Sequence, residues 1–286
     1  MKVVSYNIQY GRGRDGIVDL VRSCDAIRGA DIICLQEVDQ HWRRSGDLDQ
    51  AAEISGLLPS YYTVYGSSFD VDASAGAAHG AVTNRRRRHG NMILSHWPIL
   101  STRVFNLPKQ DYADKFNMYM TFIEAVIDTG SAVLRVYNYH GGYLEAAERL
   151  VQVEYFARVF ARSPIEGGAW SGESNIGGDD WSNQRQAPTL PSSAIFCGDF
   201  NARPDSEEYR LMIKSTGLVD CWALADPDNL LTSTGYRESA AGIEEYGKID
   251  HIMVTPDLSE KVEQVAIDHA ANGSDHKPIH AVLKLA

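Results

Sequence analysis

Apolar residues alternate with polar ones, or bunch in short runs, along most of the chain, and the spacing changes character several times. Residues 3–8 form a short apolar run that predicts a first strand. Ile17, Leu20, Val21, Cys24 and Ile27 then recur at helical spacing, which predicts an amphipathic helix ending near Gly29. Residues 31–37 return to a short apolar run, the pattern of a strand buried on both faces. A second helix is predicted over residues 49–58, closed by Pro59. The Gly-, Ala- and Ser-rich, then basic, residues 66–89 predict a long loop, with a strand resuming at residues 92–95.

In the second half, residues 118–128 and 132–140 predict adjacent antiparallel strands turning at Gly130. A well-buried helix follows over residues 144–161, since its apolar arc is wide. Residues 163–193 are crowded with Gly, Ser, Asn and Pro, yet hold Trp170 and Trp181. They predict a flexible insertion, with a substrate-covering lid as the alternative. A strand over 194–201 leads into a helix started by Pro204-Asp205-Ser206, with Asp205 as the expected cap and Glu208 reaching back to it. Tyr209, Met212, Ile213 and Thr216 would line its inner face. Late strands are expected at 248–254 and 280–285. Hairpins outnumber strict strand–helix–strand alternation, so the expected architecture is two stacked mixed sheets with helices outside.

Four strings carry the chemistry: Ser5-Tyr6-Asn7-Ile8, Leu35-Gln36-Glu37, Gly198-Asp199-Phe200-Asn201 and Ser274-Asp275-His276. Each puts a polar group at the end of a predicted strand. Side chains two apart share a face, so Asp199 and Asn201 continue the row of Ile195 and Cys197, and Asn138 and His140 continue that of Leu134 and Val136. Polar groups thus replace apolar ones where sheet edges form clefts. Together the strings supply amides, carboxylates and a carboxylate–imidazole pair, the equipment for binding a hard divalent cation and hydrolysing a phosphate ester.

The 286 residues are 44% hydrophobic and carry a formal charge of −11. That size suits one α/β domain spanning residues 1–286. The acidity disfavours a sequence-indifferent nucleic-acid binder, and Arg85, Arg86, Arg87 and Arg88 are the local exception. No apolar stretch approaches the ~20 residues needed to cross a bilayer, and no secretory leader is evident, so a cytoplasmic location is expected. Cys24, Cys34, Cys197 and Cys221 lack metal-site spacing and read as small buried thiols.

The ordered set Asn7, Gln36-Glu37, Asn138 with His140, Gly198-Asp199-Phe200-Asn201-Ala202, Lys248-Ile249-Asp250-His251 and Ser274-Asp275-His276 resembles the endonuclease/exonuclease/phosphatase superfamily. That group includes pancreatic-type deoxyribonucleases, abasic-site repair nucleases, neutral sphingomyelinases and inositol-polyphosphate 5-phosphatases. The resemblance implies a four-layered α/β/β/α sandwich and a Mg²⁺- or Mn²⁺-dependent phosphoesterase. It implies Glu37 as the first metal ligand, with Asn7 and Asp275 nearby. His276 and Asp250 would be a base and its orienting carboxylate, with Asp199 the competing general base. Asn201 and His140 would address the phosphoryl oxygens, with Asn138, beside His140, a candidate substrate contact.

The chain differs from some repair nucleases of the group in carrying Gln9 where they have an acidic residue, and His251 takes a place often held by an aromatic. Arg85 to Arg88 are candidate contacts for a second phosphate or an anionic head group. Arg43-Arg44 reads as more structural. The expected substrate is a phosphodiester of a small or lipid-derived molecule. DNA or RNA is the alternative substrate, and a non-catalytic binding domain on the same fold is the reading of another class. Oligomeric state is not legible.

Overall fold

The computed structural model describes residues 1–76, 80–172, 190–239 and 242–285. The chain passes through β1 (Lys2–Asn7), α1 (Leu20–Asp25), β2 (Ile32–Gln40), α2 (Gln50–Leu57) and β3 (Tyr62–Asp72). Two short strands, β4 (Ala75–Gly76) and β5 (Val82–Thr83), precede β6 (Arg86–Ser95), β7 (Ile99–Asn106), β8 (Thr121–Asp128) and β9 (Val133–His140). After α3 (Ala146–Glu166) come β10 (Ala194–Asp199), α4 (Glu207–Thr216), β11 (Val219–Asp220) and α5 (Cys221–Ala225). The chain ends with β12 (Ser233–Ser239), β13 (Gly242–Gly247), β14 (Asp250–Val254), α6 (Pro256–Ser259), β15 (Val262–Ile267) and β16 (Ile279–Leu283).

Two six-stranded sheets result, in the orders β15-β16-β1-β2-β6-β3 and β11-β14-β10-β9-β8-β7. Each holds one parallel pair near its centre, β1 with β2 and β9 with β10. The inner faces meet in a common core built from Val3, Ile32, Cys34 and Ile93 on one side and Ile123, Val136, Ile195, Cys197 and Ile252 on the other. The alternate residues face outward. Val4, Tyr6, Ile33 and Leu35 pack beneath Leu20, Cys24, Ile27 and Ile54 on the α1–α2 side. Phe122, Tyr137, Tyr139 and Phe196 pack beneath Val153, Phe156, Phe160 and Met212 of α3 and α4. This is the four-layered α/β/β/α sandwich, and the period-2 alternation of the strands dictates it.

Several local expectations need correction. Residues 66–89 are not a long loop, because β3 runs to Asp72 and β6 begins at Arg86 as its antiparallel partner. Helix α1 is shorter than its apolar spacing suggested. Asp19 caps it by accepting from the Arg22 amide at 3.1 Å, and Ile17 and Val21 are exposed. Ser206, not Asp205, caps α4, accepting from the Tyr209 amide at 3.2 Å. Asp205 and Glu208 are instead taken by Arg203 and Arg149.

The insertion expected at 163–193 begins later. Helix α3 continues through Pro164 to Glu166, because the Phe160 carbonyl that Pro164 cannot serve accepts from Arg135 Nη1 at 3.2 Å. Residues 173–189 of that predicted insertion lie outside the described residues. All four cysteines are free and buried. Among the described residues no helix is long and apolar enough to cross a membrane.

Candidate active site

The two parallel strand pairs deliver their C-terminal ends to the same edge of the sandwich. Asn7 ends β1, His140 ends β9 and Asp199 ends β10, each continuing an inner-face row. Asp199 pairs in register with His140 on one side and with Asp250, the first residue of β14, on the other. Gly198 permits this closeness, since a Cβ there would lie 2.0 Å from the Tyr139 carbonyl oxygen. Asp275 and His276 arrive on the segment before β16.

Glu37 reaches the cleft by a different device. The β2–β6 register shifts between Leu35 and Val38, and Glu37 occupies this bulge with φ of 59°. Asn201 (φ 50°) and Gln9 (φ 43°) are also in the left-handed region. For non-glycine residues that conformation costs about 1–3 kcal/mol each, and such strain clusters at functional sites. Here all three bent residues surround the same cleft.

The side chains form one connected group. Asn7 Nδ2 donates to Glu37 Oε1 at 3.1 Å and to Asp199 Oδ2 at 2.9 Å. Asp199 Oδ2 lies 3.6 Å from His140 Nε2 and 3.7 Å from His276 Nε2, while its Oδ1 accepts from the Asn201 amide at 2.9 Å. His276 Nδ1 meets Asp250 Oδ2 at 2.9 Å. Asn201 Nδ2 donates to the Gly141 carbonyl at 3.0 Å. Asp275 Oδ2 accepts from Gln9 Nε2 at 2.8 Å.

Electrostatics separates the two histidines. Burial disfavours the imidazolium at His276, yet the Asp250 and Asp199 carboxylates outweigh it and hold this ring's pKa well above the ordinary range. His140 has Asp199 equally near but no second carboxylate bonded to its ring as Asp250 is to His276, so burial wins over Asp199 and Glu37 and its pKa is lowered. Burial also lifts the Asp275 carboxyl; His276 opposes that rise and Glu37 adds to it. Behind Asp250, buried Lys248 Nζ pairs with Asp220 Oδ2 at 2.7 Å and meets His251 Nδ1 at 2.6 Å, bracing the start of β14.

The cleft thus gathers Asn7, Glu37, His140, Asp199, Asn201, Asp250, Asp275 and His276. It does not take in Asn138. That residue is fully buried between the sheets, its Oδ1 accepting from Gln36 Nε2 at 2.7 Å and its Nδ2 donating to the Leu35 and Met92 carbonyls, each at 2.9 Å. Its amide is consumed in joining the two sheets, which corrects the expectation of a substrate contact. The arginine run is engaged too. Arg85 pairs with Asp47, Arg86 with Asp70 and Asp72, and Arg88 with Asp70, while Arg87 donates to the His41 carbonyl. The Arg86 and Arg88 contacts follow the β3–β6 register, in which Asp70 faces Arg88 and Asp72 faces Arg86.

Two neighbours were not singled out as site residues by the sequence. Gln9 reaches Asp275 only because its backbone turns left-handed. His89 stands 6.4 Å from the His140 ring, centre to centre, with its Nδ1 on Asp39 Oδ1 at 2.7 Å and Arg44 bound to both carboxylate oxygens. No local motif marks His89, because its partner lies 50 residues away.

The donor set suits a hard divalent cation. Carboxylate oxygens dominate it. Among the described residues, Asp199, Asp250 and His276 each offer a ligand atom within 4.8 Å of the others.

The sequence matches the Endonuclease/Exonuclease/phosphatase family over residues 4–276. No curated protein sequence matches the chain. Among solved structures, an endonuclease/exonuclease/phosphatase from Beutenbergia cavernae superposes with a TM-score of 0.68 at 20% identity, covering 100% of this chain and 72% of that one. The mannosyl-6-phosphatase Bt3783 of Bacteroides thetaiotaomicron gives 0.63 at 15% identity, covering 99% of both chains. An AP endonuclease from Archaeoglobus fulgidus gives 0.57 at 20% identity, again covering 99% of both. At these identities the likeness is one of fold.

Proposed function

Because the chain belongs to the endonuclease/exonuclease/phosphatase family, a superfamily of metal-dependent phosphoesterases, we propose that it is a Mg²⁺- or Mn²⁺-dependent phosphodiesterase acting on a small or lipid-derived substrate. The observation that carries this reading is the joining of Glu37, Asn7 and Asp199 by hydrogen bonds in the same cleft as the Asp250–His276 pair.

Glu37 is the principal metal ligand, with Asn7 and Asp275 beside it. A divalent ion held there would polarise a phosphoryl oxygen and offset the charge that builds on phosphorus. The remaining work falls to the chain's own groups. Asp199, fixed by the Asn201 amide and by Asn7, is the carboxylate placed to take a proton from the attacking water. His276, kept as imidazolium by Asp250, acts as a donor to the developing negative charge rather than as the base. His140 and the second amide hydrogen of Asn201 address the other phosphoryl oxygens. In many enzymes preorganised donors of this kind supply most of the rate enhancement.

The charge distribution bears on substrate size. The net charge is −11, and three of the four arginines in the basic run already have carboxylate partners. Polynucleotide binding would draw on a free basic surface and weaken steeply with salt. Incubation with Mg²⁺ and a panel of plasmid DNA, RNA, sphingomyelin, inositol phosphates and chromogenic mono- and diesters tests the reading. Turnover confined to polynucleotide would replace it with a nuclease, and no turnover of any ester would favour a binding domain.

A further inference from the structure

We propose that Tyr246 is a positioning residue of the phosphoryl site: its hydroxyl holds His276 at Nε2 while Asp250 holds the same ring at Nδ1. The hydroxyl lies 3.1 Å from Nε2, and the Asp250 carboxylate 2.9 Å from Nδ1. An imidazole gripped at both nitrogens has its rotation fixed; the one Nε2–H, on the side facing Asp199 and the cleft, is held by the Tyr246 oxygen and is shared with a phosphoryl oxygen when substrate binds. The proposal rests on the phosphoesterase reading, in which His276 addresses the phosphoryl group.

Tyr246 belongs to the β12–β13 hairpin, and this hairpin is stitched to the catalytic segment rather than resting on it. Gly235 of β12 bridges His276 as a β-partner. The Tyr236 amide donates to the Asp275 carbonyl and the Lys277 amide to the Thr234 carbonyl, both at 2.7 Å. Thr234 Oγ1 accepts from the amides of Ile249 and Asp250 at 3.0 and 3.2 Å. The Lys277 ammonium, on a fully buried side chain, pairs with Glu245 at 2.6 Å and sits 4.3 Å from the Tyr236 ring centre. The same strands that place Asp250 and His276 therefore place Tyr246.

The sequence has made room for the ring. Tyr246 lies opposite Gly235, where a Cβ would fall 2.3 Å from the tyrosine Cζ and 2.4 Å from its hydroxyl oxygen. Burial, followed by the surrounding Asp199, Asp250, Asp275 and Glu37, raises the phenol's pKa and keeps it a neutral hydroxyl. A tyrosine placed only for packing has no need to bring its polar end into a nest of four carboxylates.

The test compares wild type, Tyr246→Phe and Gly235→Ala in the Mg²⁺-loaded full chain. Steady-state hydrolysis of bis(4-nitrophenyl) phosphate is measured beside thermal melts and the ¹⁵N resonances of the His276 ring. Tyr246→Phe keeps the ring and should lower kcat about 10- to 150-fold, the range for losing one hydrogen bond to a charged group, with KM and the melting midpoint nearly unchanged. Gly235→Ala displaces the ring and should reproduce the kcat loss. The His276 Nε2 resonance should move in Tyr246→Phe. An unmoved resonance, or a kcat within about twofold of wild type in Tyr246→Phe, would overturn the proposal. A wild type that hydrolyses no ester would overturn the phosphoesterase reading instead, and the ring resonance would still decide the Tyr246–His276 contact.

Discussion

Asp250→Asn is the sharpest single perturbation of the Asp250–His276 pair. The replacement is isosteric and removes one charge from a carboxylate that is fully buried, 2.9 Å from His276 Nδ1. Losing a charge-assisted hydrogen bond costs about 1.5–3 kcal/mol. If the whole of that is lost in the transition state, kcat falls by about 10- to 150-fold. The pH dependence has a definite sign. Asp250 and Asp199 raise the His276 pKa against burial, so the imidazolium's stabilising effect is complete below the unfolded value near 6.5 and is lost as pH rises through the higher folded value. Asparagine removes one of the two raising charges, so the alkaline limb of kcat should move to lower pH.

The assay is the pH profile of kcat for a chromogenic diester, with circular dichroism confirming the fold. His276→Ala combined with Asp250→Asn should be little worse than His276→Ala alone, because groups that act as a unit are not additive. A change in kcat below about threefold with an unshifted profile, or losses that multiply cleanly, would refute the coupling.

Three further outcomes follow. Lys248→Met leaves Asp220 buried without its ammonium partner and should cost about 3–5 kcal/mol in urea unfolding, with much of it recovered in Lys248→Met/Asp220→Leu; a loss below about 1 kcal/mol would contradict the buried pair. Mn²⁺ should raise the melting midpoint, since binding at a hundred times Kd adds about 2.7 kcal/mol by linkage, and an unchanged midpoint at saturating metal would argue against an assembled site. Arg86→Ser with Arg88→Ser strips Asp70 of both partners, yet exposed pairs contribute at most about 1 kcal/mol each, so KM for a small diester should hold; a rise beyond about tenfold would return the run to substrate contact.

The site was legible where strand periodicity governs it. His140 and Asp199 were readable as cleft residues because each lies at the C-terminal end of an inner-face row, where polar positions replace apolar ones. Asn138 lies on the same row one step earlier, and spacing alone does not reveal that a second sheet covers it at that depth. The β3–β6 hairpin was hidden by small residues. Gly66 stands there because Ile123 and Val104 pack within 2.9–3.0 Å of where a Cβ would be, so its glycine reflects sheet-to-sheet packing and not a loop. The arginine run looked free because its acidic partners lie across that hairpin and on the segment after β2. Glu37 was found as a residue type, whereas the bulge that aims it, like the left-handed turn that brings Gln9 to Asp275, is a backbone property without a local sequence signature.

The central claim is that the carboxylate–amide cluster around Glu37 binds a divalent ion needed for phosphoester hydrolysis. The most direct measurement is turnover of bis(4-nitrophenyl) phosphate by protein exhaustively stripped of metal, before and after adding back Mg²⁺ or Mn²⁺, with Glu37→Gln in parallel. The account predicts no turnover in the stripped protein, restoration by either ion, and a Glu37→Gln variant that folds but is not restored at the same ion concentration. Undiminished turnover by the metal-free protein would contradict it.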